Sequence, residues 1–267
     1  MLEDPAHFDL AELDEALQAG AVLLGQPADD TLPELLAEPL DRLRRAPAGV
    51  ALRERAALLR TPLEPVSDEN WDDALRAVTW FLEQADAEGG LPLTGAGYLR
   101  PAAVEAASAV VPQMADWIGK NNREVQSAPL LYFRESLQQV KILRKYKGAL
   151  LPTRRARTLF RAGRMRELVL ESLVPAPGGF DRPAMALLLL HAATTEPGQA
   201  IATGEIADAL TQLGWHVDGG PVPVSAIVEL PAWQLLANIG EVTARRRDRR
   251  WAFSPQASAL AREALIS

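Results

Sequence analysis

A short grammar of glycine, threonine and helix occurs twice along the chain. Residues 90–99 read Gly-Leu-Pro-Leu-Thr-Gly-Ala-Gly-Tyr-Leu, and residues 199–210 read Gln-Ala-Ile-Ala-Thr-Gly-Glu-Ile-Ala-Asp-Ala-Leu. In each, a helical run ends at glycine (Gly89 and Gly90, Gly198), a few apolar residues follow, and Thr-Gly leads into the next helical pattern. A second pair of landmarks follows in the same order, Leu150-Leu151-Pro152-Thr153 and Trp251-Ala252-Phe253-Ser254, each a short apolar strand running into a hydroxyl residue that opens a helix. Two matched landmarks in one order predict a degenerate duplication, so each half must be a version of one supersecondary plan.

Helix-period patterns dominate and strand-length runs are few, which makes the chain mainly α. Residues 8–24 carry a helical stripe (Phe8, Leu10, Leu13, Leu17) backed by acids, and further helical patterns span about 31–46 and 49–60. Asp68 and Asn70 offer caps for a helix over 70–88. The first copy then predicts a strand at 91–93, a helix over 100–115, a polar loop at 116–128, a helix from Pro129 to about 143, a turn at Tyr146-Lys147-Gly148, a strand at 149–152 and a closing helix over 154–162.

After Pro175-Ala176-Pro177-Gly178-Gly179, which reads as a linker, the second copy predicts a helix over 182–195, a strand at 200–202, helices over 204–214 and 225–239, a hairpin around 242–253 and a last helix with Pro255 at its first position. Pro231 should kink the third helix of this copy or delay its start. The expected fold is therefore tandem winged helix-turn-helix-like units with short β-hairpin wings behind an acidic helical region. The expected domains are residues 1–68 (acidic helical), 69–174 (unit 1) and 180–267 (unit 2).

Residues 93–102 and 117–159 carry Leu93-Thr94-Gly95-Ala96-Gly97-Tyr98-Leu99, Trp117-Ile118-Gly119-Lys120-Asn121-Asn122-Arg123-Glu124, Arg134-Glu135 and Leu143-Arg144-Lys145-Tyr146-Lys147-Gly148. On these residues the chain resembles actinobacterial uncharacterised proteins related to the C-terminal part of the plasmid ORF-3-like family, some of them passengers of insertion sequences. The resemblance covers about 93–159, implies something about the fold of the first copy, and transfers no functional residue.

Length and composition narrow the function. A chain of 267 residues with 48% hydrophobic and 24% charged residues is an ordinary globular composition with room for about two domains. The absence of cysteine excludes disulfides and thiolate chemistry, and three histidines (His7, His191, His216) leave little material for a metal site. No catalytic constellation is visible, so a non-enzyme without metal or cofactor is expected. The acidic start Met1-Leu2-Glu3-Asp4 lacks the basic beginning of a signal peptide, and no apolar run reaches the roughly 18 residues of a membrane helix, so the cytoplasm is the expected location.

The net charge of −7 conceals strong segregation. Residues 1–119 hold 8 basic and 22 acidic residues, 120–166 hold 13 and 2, and 167–267 hold 7 and 11. A block of net +11 points to an anionic partner. Within it Arg134, Gln138, Lys141 and Lys145 recur at spacings of four, three and four, one face of a continuous helix. Such a stripe fits a recognition helix, with Arg134, Gln138 and Lys141 reading bases, and fits equally a solvated amphipathic face. Arg144, Lys145 and Lys147 on the wing, with Arg154 and Arg155 on the closing helix, would hold phosphates. Arg245, Arg246, Arg247, Arg249 and Arg250 form a basic wing of the second copy, or an exposed hairpin kept soluble by charge.

Gly95-Ala96-Gly97 lacks the later glycine of a dinucleotide fingerprint and reads as turn chemistry; His191 in an apolar helix reads as a packed core residue. The leading expectation is a regulator-like protein that binds double-stranded DNA. The competing one is a protein-interaction or dimerisation module whose basic block docks on an acidic partner, a second subunit or the chain's own N-terminal region.

Overall fold

Ala184 to Ala193 is an unbroken buried stretch, and the helix that carries it is the hub of the fold. The structure is a computed structural model that describes residues 33–61, 71–242 and 251–266. The expected helix over 8–24, the caps Asp68 and Asn70, and the Arg245–Arg250 wing lie outside the described residues. The chain divides into two units, Met1–Leu32 and Pro33–Ser267, and everything described belongs to the second.

The molecule is mainly helical with one small three-stranded antiparallel sheet. Helices α1 (Glu34–Arg42) and α2 (Pro47–Ala57) come first. The next stretch contains α3 (Trp71–Ala74), α4 (Arg76–Asp86), strand β1 (Leu91–Pro92), α5 (Pro101–Val110), α6 (Ala128–Gln139), strands β2 (Leu143–Tyr146) and β3 (Ala149–Pro152), and α7 (Arg154–Arg161). Then follow α8 (Met165–Leu173), α9 (Asp181–Thr194), α10 (Thr203–Gln212), α11 (Val224–Val228), α12 (Pro231–Leu236) and α13 (Pro255–Ile266).

β3 lies between β1 and β2, antiparallel to both, with Leu91 opposite Leu150 and Lys145 opposite the same Leu150 from the other side. The β2–β3 turn is Lys147-Gly148, both at positive φ (47° and 77°), the two-residue geometry that matches strand twist. Thr153 caps α7 by accepting from the Ala156 amide at 3.3 Å. Helix α4 packs on β3 and on α5 and α7, which closes the first hydrophobic layer around Phe81, Leu82 and Leu150.

Helix α9 packs against α13, α1, α2, α10 and α12, so the second layer forms around it. Helix α6 of the first half packs against α12 of the second. Further bonds cross between the halves: Gly240 N–H donates to Ala74 O (2.9 Å), Gln113 N–H to Asn238 Oδ1 (3.2 Å), and Arg76 pairs with Glu241 at 2.9 Å.

Several sequence expectations are corrected in detail. The helix expected to reach 143 stops at Gln139, because Lys141 turns left-handed (φ 60°) and the Ile142 amide reaches back to Leu137 O at 2.9 Å. The expected helix over 225–239 is two helices, with Pro231 opening the second. The strand expected at 200–202 is a single bridge, Ala200 to Ala252, flanked by Ile201 N–H to Trp251 O at 2.7 Å. Helix α8, which buries Leu168, Val169 and Leu173, had no counterpart in the sequence reading.

Candidate nucleic-acid interface

Sequence places thirteen cations between residues 120 and 166, and folding sorts them into two populations. The first is neutralised within the chain. Asp86, at the end of α4, receives Arg157 Nε at 2.7 Å and Arg161 Nε at 2.9 Å. Its side chain is largely covered, and hydrogen bonds first from Arg161 and then from Arg157 hold its carboxyl below the usual range. Arg155 donates from Nε to Glu171 at 3.0 Å and also pairs with Glu167, which lowers the Glu171 pKa and raises that of Arg155. Arg164 pairs with Glu167, while Arg166 pairs with Glu263 and lies 4.9 Å over the ring of Trp71.

Arg134 belongs to this population and is its most buried member, 1% exposed. Its Nε donates to Glu124 Oε1 at 2.8 Å, and Glu124 Oε2 accepts from the Leu99 amide at 2.6 Å. The assignment of Arg134 as a base reader is therefore corrected: a buried guanidinium committed to a buried carboxylate cannot reach a groove. Gln138 is half-buried and its amide donates to Arg134 O at 3.3 Å, so it too is turned to its own helix. The recognition stripe dissolves further at its end, since Lys141 lies past the last turn of α6 and Lys145 lies on β2. With Arg134 buried and Gln138 half-buried, the stripe is not a free helical face.

The second population remains exposed. Lys141, Arg144, Lys145, Lys147 and Arg154 are all exposed, and among the described residues none has a carboxylate partner. They cluster on the hairpin β2–β3 and at its two ends. Arg144 and Lys147 rest on the exposed ring of Tyr146, at 5.1 and 5.3 Å from its centroid, which organises two charges at the hairpin tip. Arg100, Lys120 and Arg123 are exposed and likewise without a carboxylate partner among the described residues.

The sequence reading missed the neutralising acids Asp86, Glu167, Glu171 and Glu263. Only Glu167 left a local signal, three residues after Arg164; the others meet their arginines through tertiary contacts. Of the remaining expected site residues, Arg245, Arg246, Arg247, Arg249 and Arg250 lie outside the described residues. Among the described residues no group of three or more histidines and acids could hold a metal ion, and no helix is long and apolar enough to cross a membrane.

No curated protein and no solved structure matches the chain. One family does match in part: residues 73–165 are similar to the family described as the Y4jL N-terminal domain, a stretch that runs from α3 to the start of α8 and contains the whole sheet, the buried Glu124–Arg134 pair and the basic hairpin.

Proposed function

We propose that this chain is a non-enzymatic, regulator-like DNA-binding protein that grips duplex phosphates with the β2–β3 hairpin. The carrying observation is the sorting of charge. The arginines of α7 and α8 mostly meet acids of the chain, whereas the five cations on and beside the hairpin keep their charge open to solvent. Exposed cations without a carboxylate partner among the described residues are available for phosphate oxygens and for release of condensed counterions. The grip is of backbone type: Arg144, Lys145, Lys147, Lys141 and Arg154 hold phosphates, and base reading by α6 has no part in it.

The element order supports a winged-helix plan. Helix α4, β1, α5, α6 and the β2–β3 hairpin follow one another, with β1 joining the sheet beside β3. Features of the second half support its being a copy. Lys141 and Gly240 both end a third helix at positive φ (60° and 66°). Thr153 and Ser254 both cap the next helix while donating their hydroxyl to a carbonyl at that helix end, Lys141 O and Ile239 O.

In a gel-shift or anisotropy titration with a 25-base-pair duplex at low salt, the R144E/K145E/K147E variant should bind at least about tenfold more weakly, and the parent's affinity should fall steeply with salt. Failure of the parent to bind any duplex at low salt refutes the reading.

One observation favours a second reading, a protein-interaction module. Helices α6 and α12 pack on each other, and Arg134, the first cation of the α6 stripe, is buried. On that reading the hairpin meets an acidic protein surface, and the same triple variant would abolish an oligomer or complex seen in sedimentation while DNA binding is absent from the parent.

A further inference from the structure

The turn that precedes α5 stands beside the hairpin. Leu93 N–H donates to Gly148 O at 2.8 Å, which ties the start of the turn to the hairpin's own turn. The turn is closed by Thr94: its amide donates to Tyr98 O (2.8 Å), its carbonyl accepts from Gly97 N–H (2.9 Å), and its hydroxyl accepts from Tyr98 N–H (3.1 Å). Glu124 fixes the far end through the Leu99 amide, so the exposed Arg100 and Arg123 flank it.

These bonds leave two exposed donors. Among the described residues the amides of Gly95 and Ala96 have no acceptor, and both residues are exposed. Gly97 has φ 82°, where a side chain is strained, and a Cβ there would lie 3.3 Å from Lys145 Nζ. The ammonium of Lys145 thus reaches across from β2 to the turn. It has no carboxylate partner among the described residues, and it sits beside a turn that presents N–H groups. A lysine ammonium beside Gly97 and two uncommitted amides of the same turn, with no carboxylate partner for the lysine among the described residues, are the elements from which backbone anion sites are made.

We infer that the Thr94–Tyr98 turn and Lys145 form a phosphate-binding site, with the Gly95 and Ala96 amides and the Lys145 ammonium donating to the oxygens of one phosphate group. The inference deepens the DNA-binding reading by assigning one backbone phosphate to a built position, and it rests on that reading for the source of the phosphate. The same chemistry would accept free phosphate, and the test separates the two sources.

The full-length protein, labelled with nitrogen-15, is titrated first with inorganic phosphate and then with a 25-base-pair duplex, while the amides of Gly95 and Ala96 and those of Arg144 and Lys147 are followed. Expected with duplex is a saturable shift of the Gly95 and Ala96 amides, lost in Lys145→Gln, with binding about tenfold weaker and a salt dependence shallower by about one phosphate contact. Gly97→Ala, which keeps Lys145 but crowds its ammonium and strains the turn, should also reduce the shift. Movement of the Arg144 and Lys147 amides with Gly95 and Ala96 unmoved overturns the site while leaving the hairpin reading intact. Saturable shifts with inorganic phosphate but no duplex binding keep the site and overturn the DNA reading. No response to either probe overturns both.

Discussion

Glu124 and Arg134 carry opposite charges into a place where each is about 1% exposed, and such a pair is held by what its partner supplies. Removing one member leaves a buried charge without compensation, which costs about 3–5 kcal/mol. Glu124→Leu should therefore lose stability of that order in urea unfolding, whereas Glu124→Leu combined with Arg134→Met should recover most of it; equal losses in the single and double variants would refute the pairing argument. His191 is the opposite case, a buried ring with neither nitrogen hydrogen-bonded among the described residues. Burial, with a smaller push from Arg55, moves its pKa from 6.5 down to about 3. The folded pKa lies below the unfolded one, so the unfolded chain takes up the proton first. Its contribution is complete above about pH 6.5 and is lost as pH falls toward 3. Between pH 7 and pH 5 this amounts to about 2 kcal/mol, and His191→Leu should flatten that part of the stability profile. An unchanged pH profile in His191→Leu would place the acid sensitivity elsewhere.

At the scale of elements, helix existence was readable and helix ends were less so. Thr153 and Pro255 mark their starts in the sequence, because hydroxyl caps and first-turn prolines are local chemistry, whereas Pro231, expected to kink a helix over 225–239 or delay its start, opens a separate helix. The end of α6 had no such mark, since Lys141 takes the left-handed position that glycine usually fills. The difference carries to the site: a helix ending about four residues later would hold Lys141 on its face, whereas Lys141 lies past the last turn and Lys145 lies on β2. Arg134 escapes for a related reason, as its partner Glu124 lies ten residues away in the short 3-10 turn before α6, outside the helix whose periodicity places Arg134. The strain at Lys141 gives a test in which stability and binding part. Lys141→Gly should stabilise the protein by about 1 kcal/mol by relieving the left-handed conformation, while weakening duplex affinity by removal of a hairpin charge. A variant less stable than the parent would show that the lysine side chain does more for the fold than its backbone costs.

Across the whole molecule, the stretches on either side of the linker expected at 175–179 are joined by many contacts. Composition made Pro175 to Gly179 look like a boundary, and Gly178 and Gly179 do take positive φ there. What sequence could not show is that α6 finds its packing partner about 100 residues later in α12, that Gly240 bonds to Ala74, and that Arg166 meets both Trp71 and Glu263. These contacts join the two expected units through buried apolar faces as well as surface ion pairs, and buried interfaces of that kind unfold together with the cores they join. Trp71 and Trp80 report on the first half, Trp215 and Trp233 on the second. Single-tryptophan variants retaining one reporter from each half should therefore show coincident urea midpoints, matching the far-ultraviolet signal. Midpoints separated between the halves would instead mean that the contacts between them, α6 on α12 among them, give way before the cores they join.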